Sequence, residues 1–161
     1  MFREMRRINQ LMSDELNNAV LERNTNGILA CFGEDGYPYG VPVNFAMSEG
    51  KIVFHSAKTG HKVDAIKENS KVSFTVVDED TIISEEYTSY FRSVIAFGEA
   101  RVLEEKERLA AMWAIIEKFS GAEEYEEKER VIVDDGPDAL IVGVDIIHMT
   151  GKEAREYAEA K

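Results

Sequence analysis

The sequence is short of thiols, of imidazoles and of positive charge, and each shortage removes a class of function. One cysteine, Cys31, can neither close an internal disulfide nor build a thiolate zinc site. It lies in the run Gly27-Ile-Leu-Ala-Cys-Phe32, where a buried strand residue is expected rather than a nucleophile. Three histidines without a recognised ligand spacing give no metal site. Nineteen basic residues stand against 31 acidic ones, a net charge of −12, which excludes nucleic acid as a partner because duplex binding relies on a broad basic surface. No apolar run approaches the ~20 residues of a membrane span, and there is no G-x-G-x-x-G fingerprint for a dinucleotide. The N-terminus, charged at Arg3, Glu4, Arg6 and Arg7, lacks the apolar core of a signal peptide, so a cytoplasmic protein is expected. With 44% hydrophobic content and no repeat or low-complexity linker, residues 1–161 are expected to form one domain.

The positive charge that is present is local. Lys51 to Lys71 holds two of the three histidines and five lysines against only Asp64 and Glu68. Such a patch suits a bound anion better than a long polyanion. Lys51-Ile-Val-Phe-His55 alternates as a strand, Ala57 to Gly60 reads as a loop, and His61 and Lys62 open a helix continued by Val63 and Ile66. A helix start offers unpaired N–H groups and the positive end of the dipole, so strand, loop and basic helix start together fit a phosphate cradle. The same residues also fit a solvated lysine face after an ordinary strand.

Along the chain, Ser13 followed by Asp14 and Glu15 predicts a capped helix through Arg23. Asn26 to Phe32 and Tyr39 to Ala46 predict a hairpin around the Asp35-Gly36 turn. Pro42 lacks a ladder donor, which puts its strand at an edge or makes it irregular, and leaves backbone groups free to meet a ligand. Lys71 to Val77 predicts a further strand, Asp78 to Glu86 a polar loop, and Tyr87 to Leu103 a long strand bent or bulged at Gly98. Glu104 to Phe119 predicts a helix, with Trp113 in core or dimer packing. Ser120 to Asp138 reads as an acidic surface excursion with about one helical turn, Ala139 to Ile147 as a central strand, and Gly151 to Lys161 as a short helical tail. The sum is a mainly β, six-stranded antiparallel barrel with helical additions.

Three blocks, GEDGYPYGVPVNFAMSEGKIVFHSAKTGHK, TSYFRSVIAFGEARV and HMTGKEAR, resemble the 5-nitroimidazole resistance (Nim) proteins, which belong to the pyridoxamine 5'-phosphate oxidase-like, FMN-binding split barrels. The resemblance runs from Met5 to about Arg155. It implies a Greek-key split barrel, a homodimer with FMN at the subunit interface, and reductive flavin chemistry on small molecules. The strand Gly40 to Phe45, with Pro42, Val43 and Asn44, resembles the family strand that runs along the isoalloxazine, Val43 and Asn44 being its ring contacts. His55, Ser56 and Ala57 match the strand end that faces the ribityl chain and flavin, and Gly60, His61 and Lys62 match the phosphate corner. Where the oxidases have Arg-Lys this chain has His61-Lys62, and where they have Arg-Gln on the long strand it has Arg92-Ser93. His55 matches the active-site histidine of the Nim proteins, and the residues that hold substrate phosphate in the vitamin B6 oxidases find no counterpart.

Two functions follow as expectations. One is an FMN-dependent reductase of small molecules such as 5-nitroimidazoles, with His55 as proton donor or substrate anchor. The other is a flavin or haem binding or sensor module of the same fold, in which His55 or His61 would serve haem as axial ligand.

Overall fold

The computed structural model describes residues 1–134 and 136–160. Seven antiparallel strands form one sheet in the order β2-β1-β5-β6-β7-β4-β3. They are β1 (Asn26–Phe32), β2 (Pro38–Asn44), β3 (Ala46–Ser48), β4 (Lys51–Ser56), β5 (Lys71–Ile83), β6 (Thr88–Val102) and β7 (Leu140–Glu153). The helices are α1 (Asp14–Arg23), α2 (His61–Glu68), α3 (Glu105–Ser120), α4 (Tyr125–Asp134) and α5 (Arg155–Glu159). The seventh strand arises because the expected strand Tyr39 to Ala46 is broken at Phe45. Its first part pairs with β1 and its second with β4, so one continuous segment joins the two ends of the sheet and curls it into a barrel.

Local chemistry accounts for most boundaries. The Ser13 hydroxyl accepts from the Leu16 N–H at 3.2 Å and caps α1. Asp35 and Gly36 turn the β1–β2 hairpin, Gly36 taking φ +80°. Pro42 faces Ile28 on the strand at the end of the sheet, where no second neighbour needs its missing N–H. The ladder between β6 and β7 slips between Phe97 and Gly98, and a Cβ on Gly98 would lie 2.3 Å from the Asp145 carbonyl oxygen.

The barrel interior is filled by Leu29, Phe45, Ile52, Phe54, Phe74, Val94 and Val144 with Val20 and Leu21 of α1. Full burial of each large apolar side chain is worth about 1.5–3 kcal/mol. A second cluster lies outside the β3-β4-β7 end, where Ala46, Val53 and Ile141 meet Ala111 and Met112 of α3 and Ile132 of α4. Cys31 is buried in the first cluster, and burial raises its thiol pKa.

Three expectations are corrected. The segment expected as a loop from Asp78 to Glu86 continues β5 to Ile83 after a bulge between Val77 and Glu79, because Asp78 finds distant partners in Arg23, Asn24 and Arg92. The acidic excursion contains a ten-residue helix, α4, held by the buried Lys128, whose ammonium donates to Glu117 and to the Gly121 carbonyl. The last strand runs on to Glu153, so the helical tail is reduced to α5. Asp135 in the excursion and Lys161 in the tail lie outside the described residues.

Candidate functional site at the split between strands two and four

The parting of β2 from β4 at Phe45 creates the site. β3 pairs with β4 only from Ser48↔Lys51 to Ala46↔Val53, while β7 pairs with β4 as far as Ser56. Phe54, His55 and Ser56 therefore have a strand neighbour on one side only. β2 faces them across the split with β1 as its sole neighbour. Phe45 anchors the fork: its N–H donates to the Thr25 carbonyl, its ring meets Phe74 edge-on at 5.0 Å, and the Lys118 ammonium sits 4.3 Å over it.

The end of β4 leads into an uncapped helix. Gly60, at φ +129°, precedes α2 without giving it a side-chain cap, and its carbonyl accepts from the N–H groups of Val63 and Asp64. The N–H groups of His61 and Lys62 find no acceptor among the described residues. A Cβ on Gly60 would meet open space, so glycine is required there by its dihedral angle and not by crowding. Lys62 has no acidic partner within 4 Å among the described residues, whereas Lys58 pairs with Asp138 at 3.6 Å and Lys51 with Glu107 at 3.4 Å. The basic patch is thus partly neutralised by distant acids, and of the lysines without an acidic partner within 4 Å among the described residues, Lys62 is the one at the helix start.

The expected residues divide by strand face. Val43 is 8% exposed with its side chain in the core, so its backbone alone is available to the split, while Pro42 and Asn44 point outward. Asn26 donates to the Asn44 side-chain oxygen at 3.3 Å. Ser56 is buried, and its hydroxyl has no hydrogen-bond partner among the described residues. An unsatisfied buried hydroxyl costs about 1–3 kcal/mol, which a ligand accepting or donating there would recover. His55 projects to the opposite face, exposed, and Ala57 is exposed beside it. The His55 imidazole borders an apolar pocket of about 270 Å³ walled by Met112, Ile115 and Ile116 of α3, Val131 of α4 and Ile141 of β7. No sequence signal pointed to that pocket, since it needs α4, which composition hid.

His61 does not project freely. Its ring stacks on Tyr39 of β2 at 4.0 Å and 17°, so it latches α2 to the hairpin. Arg92 and Ser93 are not brought to this end by one chain. Ser93 lies nine residues before the Val102 end of β6, about 30 Å along an extended strand. Arg92 is occupied by Asp78 at 3.3 Å, Glu79 at 3.6 Å and Glu153 at 3.8 Å, and stacks over Tyr157. Ser93 faces outward between Val77 and Lys152.

A family model described as pyridoxamine 5'-phosphate oxidase matches residues 14–153, which takes in β1 to β7, the split and the α2 corner. The chain belongs to the pyridoxamine 5'-phosphate oxidase family. Among solved members of this fold, a conserved hypothetical protein from Mycobacterium tuberculosis superposes with a TM-score of 0.79 at 22% identity, over 93% of this chain and 90% of that one. A putative 5-nitroimidazole antibiotic resistance protein from Bacteroides thetaiotaomicron gives 0.73 at 18% identity, over 89% and 86%. A FAD and heme binding protein from Mycobacterium smegmatis gives 0.71 at 18%, over 94% and 79%. At these identities the likeness is one of fold. No protein of curated function matches the chain. Among the described residues, no helix is long and apolar enough to cross a membrane, and no group of three or more His, Cys, Asp or Glu side chains is placed to hold a metal ion.

Proposed function

We propose that this family member binds FMN in the split between β2 and β4 and uses it to reduce small uncharged molecules such as 5-nitroimidazoles. The observation that carries the proposal is the set of polar groups left unsatisfied there: the Ser56 hydroxyl, the open N–H groups at the start of α2 and the unpaired Lys62 ammonium. These fit a flavin mononucleotide. The α2 start with Lys62 would hold the phosphate, by backbone N–H groups and one ammonium, and Ser56 would serve the ribityl chain. The outward backbone of Gly40 to Asn44 would lie along the ring. One phosphate corner favours FMN over FAD, although a relative of this fold is named for binding FAD.

Bound flavin would supply the two-electron chemistry that side chains lack. His55 would hold a proton at its imidazole for a substrate seated in the apolar pocket, and Met112, Ile116 and Ile141 would keep water and charged competitors out. The pocket's apolar lining favours a neutral ring over a phosphorylated substrate.

The protein is further proposed to act as a homodimer. Across β2-β1-β5-β6-β7 the outward row Pro42–Ile28–Thr75–Ile95–Thr150 carries no charge, and the row beside it, Gly40–Ala30–Ser73–Phe97–His148, carries no acid, lysine or arginine, its Phe97 and His148 rings being met by Phe2 of the same chain. In a chain with 31% charged residues, such a face suits a second copy. It includes Pro42 and borders Ser93, so a twofold partner would bring its own Ser93 toward the split.

One observation favours a second account, a non-catalytic flavin or haem module: no described residue hydrogen-bonds the His55 imidazole, so nothing fixes its tautomer for proton transfer. The absorption spectrum of the purified protein, with mass spectrometry of the released cofactor, tests both. An oxidised flavin spectrum with the mass of FMN is expected. A haem Soret band, released FAD, or no flavin after reconstitution overturns the proposal.

A further inference from the structure

We infer that a second anion site lies between the N-terminal segment and α5, made to take a dianionic oxyanion of the phosphate class, either free phosphate or a phosphomonoester. A pocket of about 550 Å³ opens there, lined by Arg6, Arg7, Asn9, Gln10, Arg155 and Glu159. Three guanidinium groups thus border one cavity with a single carboxylate, in a chain where acids outnumber bases 31 to 19.

The arginines are held in place by their backbone. The Gln10 side-chain amide, buried, donates to the Glu153 carbonyl at 3.0 Å, and the Met12 N–H donates to the Gly151 carbonyl at 3.0 Å. Leu11 bridges to Lys152, so the N-terminal segment runs as a short extra edge beside the end of β7. The Gln10 N–H donates to the Arg7 carbonyl, which closes a 3-10 turn at Ile8–Gln10 and turns Arg6 and Arg7 back toward α5.

Their charges are largely unanswered. Arg155 Nε lies 2.5 Å from Glu159 Oε1. Arg7 Nη1 reaches only the neutral Gln10 Oε1, at 3.4 Å. Arg6 has no acidic partner within 4 Å among the described residues. Guanidinium groups stay charged at any working pH, so they cannot relieve their repulsion by losing protons. A planar fork of N–H donors matches a phosphate oxygen pair, and two or three forks around one cavity select a doubly charged oxyanion over chloride. The room exceeds that of phosphate alone, which admits an organic phosphomonoester. This site shares no residue with the α2 corner.

Isothermal titration of the full chain loaded with one equivalent of FMN and freed of excess, in a phosphate-free buffer, tests the site with inorganic phosphate and with phenyl phosphate as probes. Wild type and Lys62→Ala are expected to bind alike, while Arg6→Gln and Arg155→Gln bind about tenfold more weakly. Glu159→Gln is expected to bind several-fold more tightly, because it removes the carboxylate that competes for Arg155. A gain of affinity cannot come from misfolding. Stronger binding of phenyl phosphate assigns the site to a phosphomonoester, and stronger binding of inorganic phosphate to the free ion. No binding of either probe at millimolar concentration overturns the inference. So does affinity that falls with Lys62→Ala but not with the arginine variants, or that is unmoved by Glu159→Gln.

Discussion

Two clusters of charge sit at opposite ends of the sheet, and they differ in whether the chain answers them. At one end Asp78, with a side chain 7% exposed, accepts from Arg23 at 2.7 and 2.5 Å, from Asn24 at 2.7 Å and from Arg92 at 3.3 Å. At the other end Lys62, two helix N–H groups and the Ser56 hydroxyl have no partner in the described chain. The first cluster ties α1 to β5 and β6 and commits the Asp78 carboxylate to the chain's own donors, while the buried Arg92 Nε makes no hydrogen bond among the described residues and meets Glu153 only at 3.8 Å. The second gives the fold no bond and holds every donor a phosphate needs. The paired Asp78 carboxylate therefore marks structure here, whereas at the candidate site an unsatisfied hydroxyl, open helix N–H groups and an unpaired ammonium occur together.

The largest effect expected from separating the two ends is on rate. His55→Ala should keep FMN and the oligomeric state yet slow anaerobic single-turnover reduction of a nitroimidazole by ~10² to 10⁴, the usual share of a positioned acid. Equal rates for wild type and variant would move the balance to the binding module. Next in size, Asp78→Ala should cost about 2 to 3 kcal/mol in urea unfolding, because Arg23, Asn24 and Arg92 lose a shared, mostly buried acceptor. Flavin affinity of the folded fraction should not change. A variant that unfolds normally but loses flavin would erase the contrast between the ends.

Acid provides a gentler form of the same test. The hydrogen bond from Arg23, then those from Asn24 and Arg92, hold the Asp78 carboxyl below its ordinary pKa against an opposing effect of burial. A depressed folded pKa gives stability that is present above the unfolded value, near 4, and lost as pH falls through the folded value. Asp78→Asn should flatten the decline of stability below about pH 4. An unchanged acid slope would remove Asp78 from the account. The smallest effect belongs to Ser56→Ala, which should weaken FMN by about 1 kcal/mol while leaving the flavin-free protein as stable or slightly more so. Loss of stability without flavin would mean that the hydroxyl already has a partner.

The sequence exposed those features whose cause is local. The Ser13 cap, the Asp35-Gly36 turn, the edge position of Pro42 and the slip at Gly98 each depend on one or two residues, and each is present. The strand, loop and helix start of the corner proposed to hold a phosphate were also legible as elements, because periodicity switches from 2 to 3.6 across Gly60. Features made by distant partners were not. Asp78-Glu-Asp reads as a loop until Arg23, 55 residues away, takes its charge. Lys51 and Lys58 read as free until Glu107 and Asp138 arrive from the far side of the chain. His61 read as a phosphate donor, and the stack on Tyr39 became visible only when β2 and α2 were brought together. The apolar pocket at His55 was hidden for the same reason, since its walls come from α3, α4 and β7.

The central claim, that the α2 corner holds a flavin phosphate, is tested most directly by titrating FMN and riboflavin into wild type and Lys62→Ala. The account predicts that the variant loses about 1.5 to 3 kcal/mol toward FMN, the range for a hydrogen bond to a charged group, and almost nothing toward riboflavin, which lacks the phosphate. Equal losses toward both ligands, or none toward FMN, would contradict it.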